Sequence, residues 1–248
     1  MLSEQRHEII LRLLEEKRSI TVIELTKLLN ISESTARRDI TILDKAGKLV
    51  KVFGGAICSD NVYLSAEPTV AQKTEINKEE KKKIARYAVS FIRPHDFIYL
   101  DAGTTTGYMI DFLQEKNITV VTNAVAHAQR LATVGIHVLL VGGTLKGSTE
   151  AIVGTTTVLM LKDYHFSKGF FGTNGVSKKA GFTTPDDSEA LVKKTALEQC
   201  KKSYILCDYS KFNIVSSVEF APLTAGTIIT DREIEDFKEI ADIIFCPV

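Results

Sequence analysis

Three helical patterns follow one another over the first 47 residues. After Ser3, the apolar residues Ile9, Ile10, Leu13 and Leu14 recur at helical spacing. Thr21-Val22-Ile23-Glu24 opens a second helix, because Thr21 can accept from a free N–H while Glu24 reaches back. Leu25, Leu28 and Leu29 continue its apolar stripe. Asn30-Ile31 leaves room for a short turn, Ser32 can cap a third helix, and Gly47 is a natural stop. The third helix has two unlike faces. Ala36, Ile40 and Leu43 share the side that must pack, and Ser34, Arg37, Arg38 and Thr41 fall at i, i+3, i+4 and i+7 on the other. Short hydroxyls and guanidinium groups near a helix start suit a major groove, where they reach base edges and phosphates. Lys48 to Ala56 is short, β-branched and basic, and closes on Gly54-Gly55. It reads as the wing of a winged helix-turn-helix, with Lys48 and Lys51 near the phosphate backbone. Ser32 and Thr35 complete the expected DNA-contacting set.

Residues 57–76 show no sustained period and contain Ser, Asp, Asn and Pro68, as a connector would. A different rhythm begins at Asn77. Ile84, Ala85, Ala88, Val89 and Ile92 form the buried stripe of a helix whose Lys81-Lys82-Lys83 run is expected to be a solvated face. Short apolar runs then alternate with helical stretches. Candidate strands are Phe97–Asp101, Ile118–Thr122, His137–Val141, Gly169–Gly172, Ser203–Asp208, Thr227–Thr230 and Asp242–Phe245. Most are continuous apolar runs, the mark of strands covered on both faces. The expected fold class is therefore α/β: an N-terminal winged helix-turn-helix over residues 1–57, a linker over 58–76, and a larger, mostly parallel α/β domain over 77–248.

Ligands of such sheets bind beyond the carboxyl ends of the strands, and there this sequence turns polar. Phe97–Leu100 leads into Asp101-Ala102-Gly103-Thr104-Thr105-Thr106-Gly107 and then a helix, a junction whose N–H groups and hydroxyls suit a phosphate. A Gly-Thr turn with capping threonines would leave the same trace. The other strand ends repeat the theme with Thr122-Asn123, Gly142-Gly143 followed by Lys146, Gly172-Thr173-Asn174-Gly175, and Asp208-Tyr209-Ser210-Lys211. Their convergence on one edge predicts a pocket. Lys211 is a candidate cation for the phosphate, and Asp101, Asn123 and Asn174 are candidates for sugar hydroxyls. Glu189 and Lys193 are spaced i, i+4, so Glu189 can face this pocket or simply pair within its helix.

Composition narrows the class. Hydrophobic residues at 44% and charged residues at 25% fit an ordinary globular chain with a sizeable core. No run approaches the roughly 18 apolar residues of a membrane span, and the N-terminus lacks the apolar segment of a signal peptide. Cys58, Cys200, Cys207 and Cys246 are scattered, which suggests structural thiols in a reducing, cytoplasmic setting rather than a metal site. No cofactor is expected. Net charge is zero, and residues 1–56 carry ten Lys/Arg against eight Asp/Glu, a net of +2. DNA binding must therefore rest on where the cations sit.

Ser32-Glu33-Ser34-Thr35-Ala36-Arg37-Arg38-Asp39-Ile40 and Val52-Phe53-Gly54-Gly55-Ala56 resemble the recognition helix and wing ending of the DeoR family of bacterial repressors. The usual signature has a β-branched residue at Ala36 and often a His at Phe53. The resemblance extends over nearly the whole chain through Asp101 to Thr106, Val121-Thr122-Asn123, Gly142-Gly143, Ser188-Glu189-Ala190 with Lys193-Lys194, and Asp208 to Phe212. Within the family the chain looks most like the fructose and lactose/tagatose operon repressors of low-GC Gram-positive bacteria. This resemblance implies a second domain similar in fold to ribose-5-phosphate isomerase, with the sugar-phosphate site reused for sensing. It implies a repressor of a sugar-catabolism operon, bound to operator DNA as a homodimer or homotetramer and controlled by a phosphorylated sugar. The alternative is a sugar-phosphate isomerase or deaminase with an appended DNA-binding domain. Such an enzyme needs a carboxylate base. An isomerase-like pocket would carry an acidic motif near Gly172–Gly175, and Thr173-Asn174 stands there instead, leaving Asp101, Asp186 and Glu189 as substitutes. No catalytic residue is assigned. A third alternative, a DNA-architectural protein whose second domain only oligomerises, does not account for the polar strand ends.

Overall fold

The computed structural model describes residues 2–17, 19–52, 54–58, 62–64 and 70–247. The chain divides into two units, Met1–Tyr63 and Leu64–Val248.

The first unit holds α1 (Ser3–Lys17), β1 (Ser19–Thr21), α2 (Val22–Leu29), α3 (Glu33–Lys45), β2 (Leu49–Val52) and β3 (Gly55–Cys58). Local chemistry sets the boundaries. The Thr21–Glu24 capping box forms in full, with Thr21 N donating to Glu24 Oε2 at 2.8 Å and Glu24 N to Thr21 Oγ1 at 3.1 Å. Asn30, left-handed at φ 50°, ends α2. Ser32 caps α3, and Gly47 at φ +68° stops it while Lys48 N donates to Leu43 O at 3.0 Å. The three strands make an antiparallel sheet in the order β1-β3-β2. The β2–β3 pair is the expected wing, whereas β1, three residues long, has no periodicity to reveal it. Phe53 lies outside the described residues. Ile10, Leu14, Ile20, Leu25, Ala36, Ile40, Leu43, Leu49 and Ala56 form the core. The small Ala36, fully buried, allows α3 to pack closely there.

The strand β4 (Val62–Leu64) precedes the second unit's helices, α4 (Val70–Glu75) and α5 (Lys78–Val89). The expected linker over 58–76 is corrected here: residues 70–75 are helical, tied down by contacts that periodicity cannot show. Thereafter come β5 (Phe97–Leu100), α6 (Thr104–Phe112), β6 (Thr119–Thr122), α7 (Val125–Thr133) and β7 (His137–Leu140). A hairpin of β8 (Thr144–Lys146) and β9 (Ala151–Val153) follows, then α8 (Thr155–Lys162), β10 (Lys168–Gly172), β11 (Gly175–Ser177), β12 (Gly181–Thr184) and α9 (Asp187–Glu198). The chain closes with β13 (Ser203–Leu206), β14 (Ile214–Ser216), β15 (Val218–Ala221), β16 (Thr227–Thr230) and β17 (Ile243–Phe245).

The seven strands expected from the sequence form one sheet, ordered β17-β16-β13-β10-β5-β6-β7, and every pair in it is parallel. Neighbouring residues alternate between two cores. Tyr99, Val121, Phe171, Ile205 and Ile228 pack with Leu161 of α8 and Ala196 of α9. Ile98, Val120, Phe170, Tyr204 and Ile229 pack with Ile84 of α5, Ile110 of α6 and Leu131 of α7. Both faces are thus covered, as the unbroken apolar strands require. A smaller antiparallel sheet, β11-β12-β15, was not foreseen. Strand order reverses between β5 and β10: the chain runs outward from β5 to β6 and β7, then returns to lay β10 on the other side of β5. Such a reversal opens a crevice at the strands' carboxyl ends.

Candidate functional site

On the first unit, α3 presents its polar face outward. Ser32, Ser34, Arg37 and Arg38 are exposed, and Thr35 and Thr41 are half-buried. Ser32 Oγ lies 2.9 Å from both the Ser34 and Thr35 hydroxyls and caps Thr35 N, so these hydroxyls already form a local cluster at the helix start. Arg37 reaches Glu33 at 3.3 Å, an exposed i, i+4 pair of little energetic consequence. Lys48 and Lys51 are exposed on the wing side. Lys51 Nζ donates to Thr41 Oγ1 at 2.9 Å, and Lys51 N to Asp44 Oδ1 at 3.0 Å, which locks the wing to α3. The structure thus brings all eight expected DNA-contacting residues to α3 and the wing. Behind this face lies a partnership that sequence reasoning missed. Asp39, 1% exposed, receives the Arg6 guanidinium at 2.7 and 3.0 Å and faces His7 at 3.2 Å. Burial opposes its charge, yet the Arg6 fork and the His7 ring hold its pKa below the usual carboxylate range. The pair fixes α3 to α1.

In the second unit a cleft opens at the β5/β10 reversal. Its walls include Gly103, Thr104 and Thr105 after β5, Thr173 and Asn174 after β10, and Cys207, Asp208 and Lys211 after β13. Glu189 and Lys193 of α9, Thr149, Val70 and Lys73 of α4, and Lys81 of α5 also line it. The backbones of Gly103 and Gly172 meet here: a Cβ on Gly103 would lie 3.8 Å from Gly172 Cα. The N-cap of α6 is Gly103, which makes no side-chain cap hydrogen bond.

Six expected ligand residues therefore line the cleft: Gly103, Thr104, Thr105, Asn174, Glu189 and Lys211. The others serve the scaffold. Thr106 is fully buried and donates to the Asp101 and Gly103 carbonyls at 2.7 and 2.8 Å. Thr122, also buried, accepts from Ala124 N at 3.1 Å. Asn123 does not present itself to a sugar. It accepts from Tyr99 Oη and Ala102 N, each at 3.0 Å, and donates to Ile152 O at 3.2 Å. Gly142 and Gly143 belong to packing against α8 and the hairpin: Thr157 donates to Gly142 O at 2.8 Å, and a Cβ on Gly143 would meet Thr157 Oγ1 at 2.2 Å. Gly175 is crowded by Ile214 O. Asp101, 1% exposed, accepts from Gly172 N at 3.0 Å and pairs with Lys193, which itself lines the cleft. Lys146 bridges Asp186 at 3.0 Å and Glu189 at 3.1 Å beside the cleft, and Thr149 also donates to Glu189. Glu189 and Lys193 thus do not pair within their helix; each crosses to another element.

Lys81 is another correction. Rather than sitting on a solvated face, it is 4% exposed and points into the cleft. Burial pushes its pKa down to about 8, with Lys211 and Lys73 adding to the shift and Asp208 and Glu80 opposing it. Asp208 is buried too. Burial penalises its charge, but Lys211, the Ser210 hydroxyl, Lys81 and Asn77 together hold its pKa below the usual range. Nearby, His127 has an Nδ1 without a partner among the described residues, and burial together with Arg130 pushes its pKa down to about 4. It is a neutral imidazole at physiological pH. The Cys207 thiol, pushed well up by burial, is inert. Among the described residues no group of His, Cys, Asp or Glu is arranged to hold a metal ion, and no helix is long and apolar enough to cross a membrane.

A helix-turn-helix with a cationic outer face, joined in sequence to an α/β unit with a cleft at its switch point, defines a DNA-binding transcription regulator. The chain belongs to the DeoR family. Residues 6–62 match the DeoR-like helix-turn-helix domain and residues 76–232 the DeoR C terminal sensor domain. It is 45% identical to the uncharacterized HTH-type transcriptional regulator FruR of Bacillus subtilis, over 93% of this chain and 91% of that protein. It is 33% identical to the lactose phosphotransferase system repressor of Streptococcus mutans, over 95% of each chain. Among solved structures, ribose 5-phosphate isomerase A of Methanocaldococcus jannaschii aligns with a TM-score of 0.41 at 16% identity, over 55% of each chain.

Proposed function

We propose that this protein represses a sugar-catabolism operon and that a phosphorylated sugar in the cleft controls its affinity for the operator. The carrying observation is the composition of that cleft: Lys73, Lys81 and Lys211 gather beside the uncapped first turn of α6 and the Thr104 and Thr105 hydroxyls. A dianionic phosphate satisfies all of these together, and Asn174 and Glu189, which also line the cleft, are our candidates for the sugar hydroxyls. The relative named a lactose phosphotransferase system repressor supports a sugar operon as the target.

The same cleft argues against an enzyme. The carboxylate base of a sugar-phosphate isomerase must be free to take a proton. Asp101 is committed to Lys193, Glu189 to Lys146 and Thr149, and Asp208 to Asn77 and Ser210. Thr173-Asn174 supplies no acid. We assign the chain to the cytoplasm, where its DNA is, and to a homodimer or homotetramer. One winged helix contacts few base pairs, and a symmetric pair of half-sites supplies the rest.

A thermal-shift screen against fructose 1-phosphate, fructose 6-phosphate, tagatose 6-phosphate and deoxyribose 5-phosphate tests the reading. A ligand at 100 times its Kd contributes about 2.7 kcal/mol, enough to raise the melting temperature by several degrees. No shift with any sugar phosphate, or isomerase turnover by the pure protein, would overturn it.

A further inference from the structure

The first helix of the second unit, α4, is built into the cleft wall. Val70 and Lys73 of α4 line the cleft. At six residues, α4 is too short to persist alone. It is held by Val70 N donating to Ser148 O at 3.3 Å, by Tyr108 Oη donating to Thr74 O at 3.2 Å, and by Lys81 Nζ donating to Lys73 O. Asn77, left-handed at φ 50°, continues the attachment through Asp208 Oδ1 at 2.8 Å and Ser210 Oγ at 3.1 Å. Most of these partners stand on elements that also form the cleft.

Lys81 has the singular position. An ammonium carries three donors, and among the described residues its acceptor is the Lys73 carbonyl. Lys81 lines a cleft in which Lys211 and Lys73 repel it and Asp208 is shared with other partners. We propose, resting on the anionic-effector reading above, that Lys81 is held in common by the effector's phosphate and by the α4 backbone, so that occupancy of the cleft tightens α4 and thereby the chain leading to the DNA-binding unit. The physical link is protonation. Burial brings the Lys81 pKa down to about 8, so that near pH 8 the neutral amine and the ammonium are comparably populated. A bound dianion restores the ammonium, and a charged donor holds the Lys73 carbonyl more strongly than a neutral amine does. By linkage, binding takes up a proton and weakens as pH rises above about 8. Asp208 and Glu80 favour the charged form of Lys81 and Lys73 and Lys211 oppose it.

Hydrogen exchange and calorimetry on the full chain, with fructose 1-phosphate and inorganic phosphate as probes, test this. Expected are slower exchange in residues 70–76 on binding, and proton uptake at pH 8 read from two buffers of different ionisation enthalpy. Affinity should fall by up to about tenfold per pH unit between 8.5 and 9.5, the slope of one linked proton. K81M should lose at least tenfold in affinity and all protection of residues 70–76, whereas the control K82M should keep both. Unchanged or faster exchange in α4 with either probe bound, or K81M binding within twofold of the wild type, would overturn the proposal while leaving the effector reading intact. Failure of the wild-type chain to bind either probe would overturn the proposal, and failure to bind any sugar phosphate of the thermal-shift panel would overturn the effector reading as well.

Discussion

The two functional surfaces of this protein handle charge in opposite ways. On α3 and the wing, Arg37, Arg38, Lys48 and Lys51 stand in water, and buried charges, among them Arg6 and Asp39, serve as scaffold. In the cleft two of the cations are sunk into the protein: Lys81 is 4% and Lys193 5% exposed, and each is held by a named partner, while Lys73 and Lys211 are half-buried. The difference follows from the partner each surface meets. A duplex brings many phosphates from outside and releases counterions, so exposed cations suffice and salt governs affinity. A small anion must supply most of its binding energy through a few contacts, and those gain strength where water is excluded. Buried charges, however, must be paired when the ligand is absent, which is why the cleft is laced with ion pairs.

Breaking a buried pair should have the largest effect. Lys193→Met leaves Asp101 charged and uncompensated, so the sensor unit should lose about 3–5 kcal/mol of stability in urea unfolding; a loss below 1 kcal/mol would show that the pair is not what closes the β5/β10 junction. Next come the exposed arginines. Arg37→Ala and Arg38→Ala should each weaken operator binding by about 1–3 kcal/mol, with effector binding untouched in calorimetry. Unchanged DNA affinity in both would remove α3 as the recognition helix. Lys211→Ala should keep DNA affinity within about twofold but lose the response to effector, a coupling of typically about 1–3 kcal/mol. The smallest effect belongs to the wing: Lys51→Ala should lower the slope of log affinity against log salt by about one, and an unaltered slope would place Lys51 away from phosphate.

How far each surface could be read in advance follows the same divide. The seven parallel strands were legible as continuous apolar runs, and the α3 face because helical periodicity records which side is wet. Exposed Arg37 and Arg38 need no partner to be recognised. The strand ends signalled a cleft, but residue type alone does not say where a side chain turns. Thr104 and Thr105 line the cleft while Thr106, the next residue, bonds back to the Asp101 carbonyl. Asn123 spends its amide on Tyr99, Ala102 and Ile152. Lys81 hid in a run of three lysines, although it falls at i to the buried Ile84, Ala85 and Ala88 at i+3, i+4 and i+7 and so shares their face. The short strands of β11-β12-β15 and the helix α4 owe their form to tertiary contacts, for which three to six residues carry no period.

The most direct test of the link between the two surfaces is operator affinity, measured by fluorescence anisotropy with and without a saturating sugar phosphate found in the thermal-shift screen, in the wild type and in Lys211→Ala. The expected result is a roughly 5- to 150-fold weakening in the wild type and none in the variant. Equal operator affinity in the wild type with the cleft empty and filled would contradict the proposal that the cleft controls DNA binding.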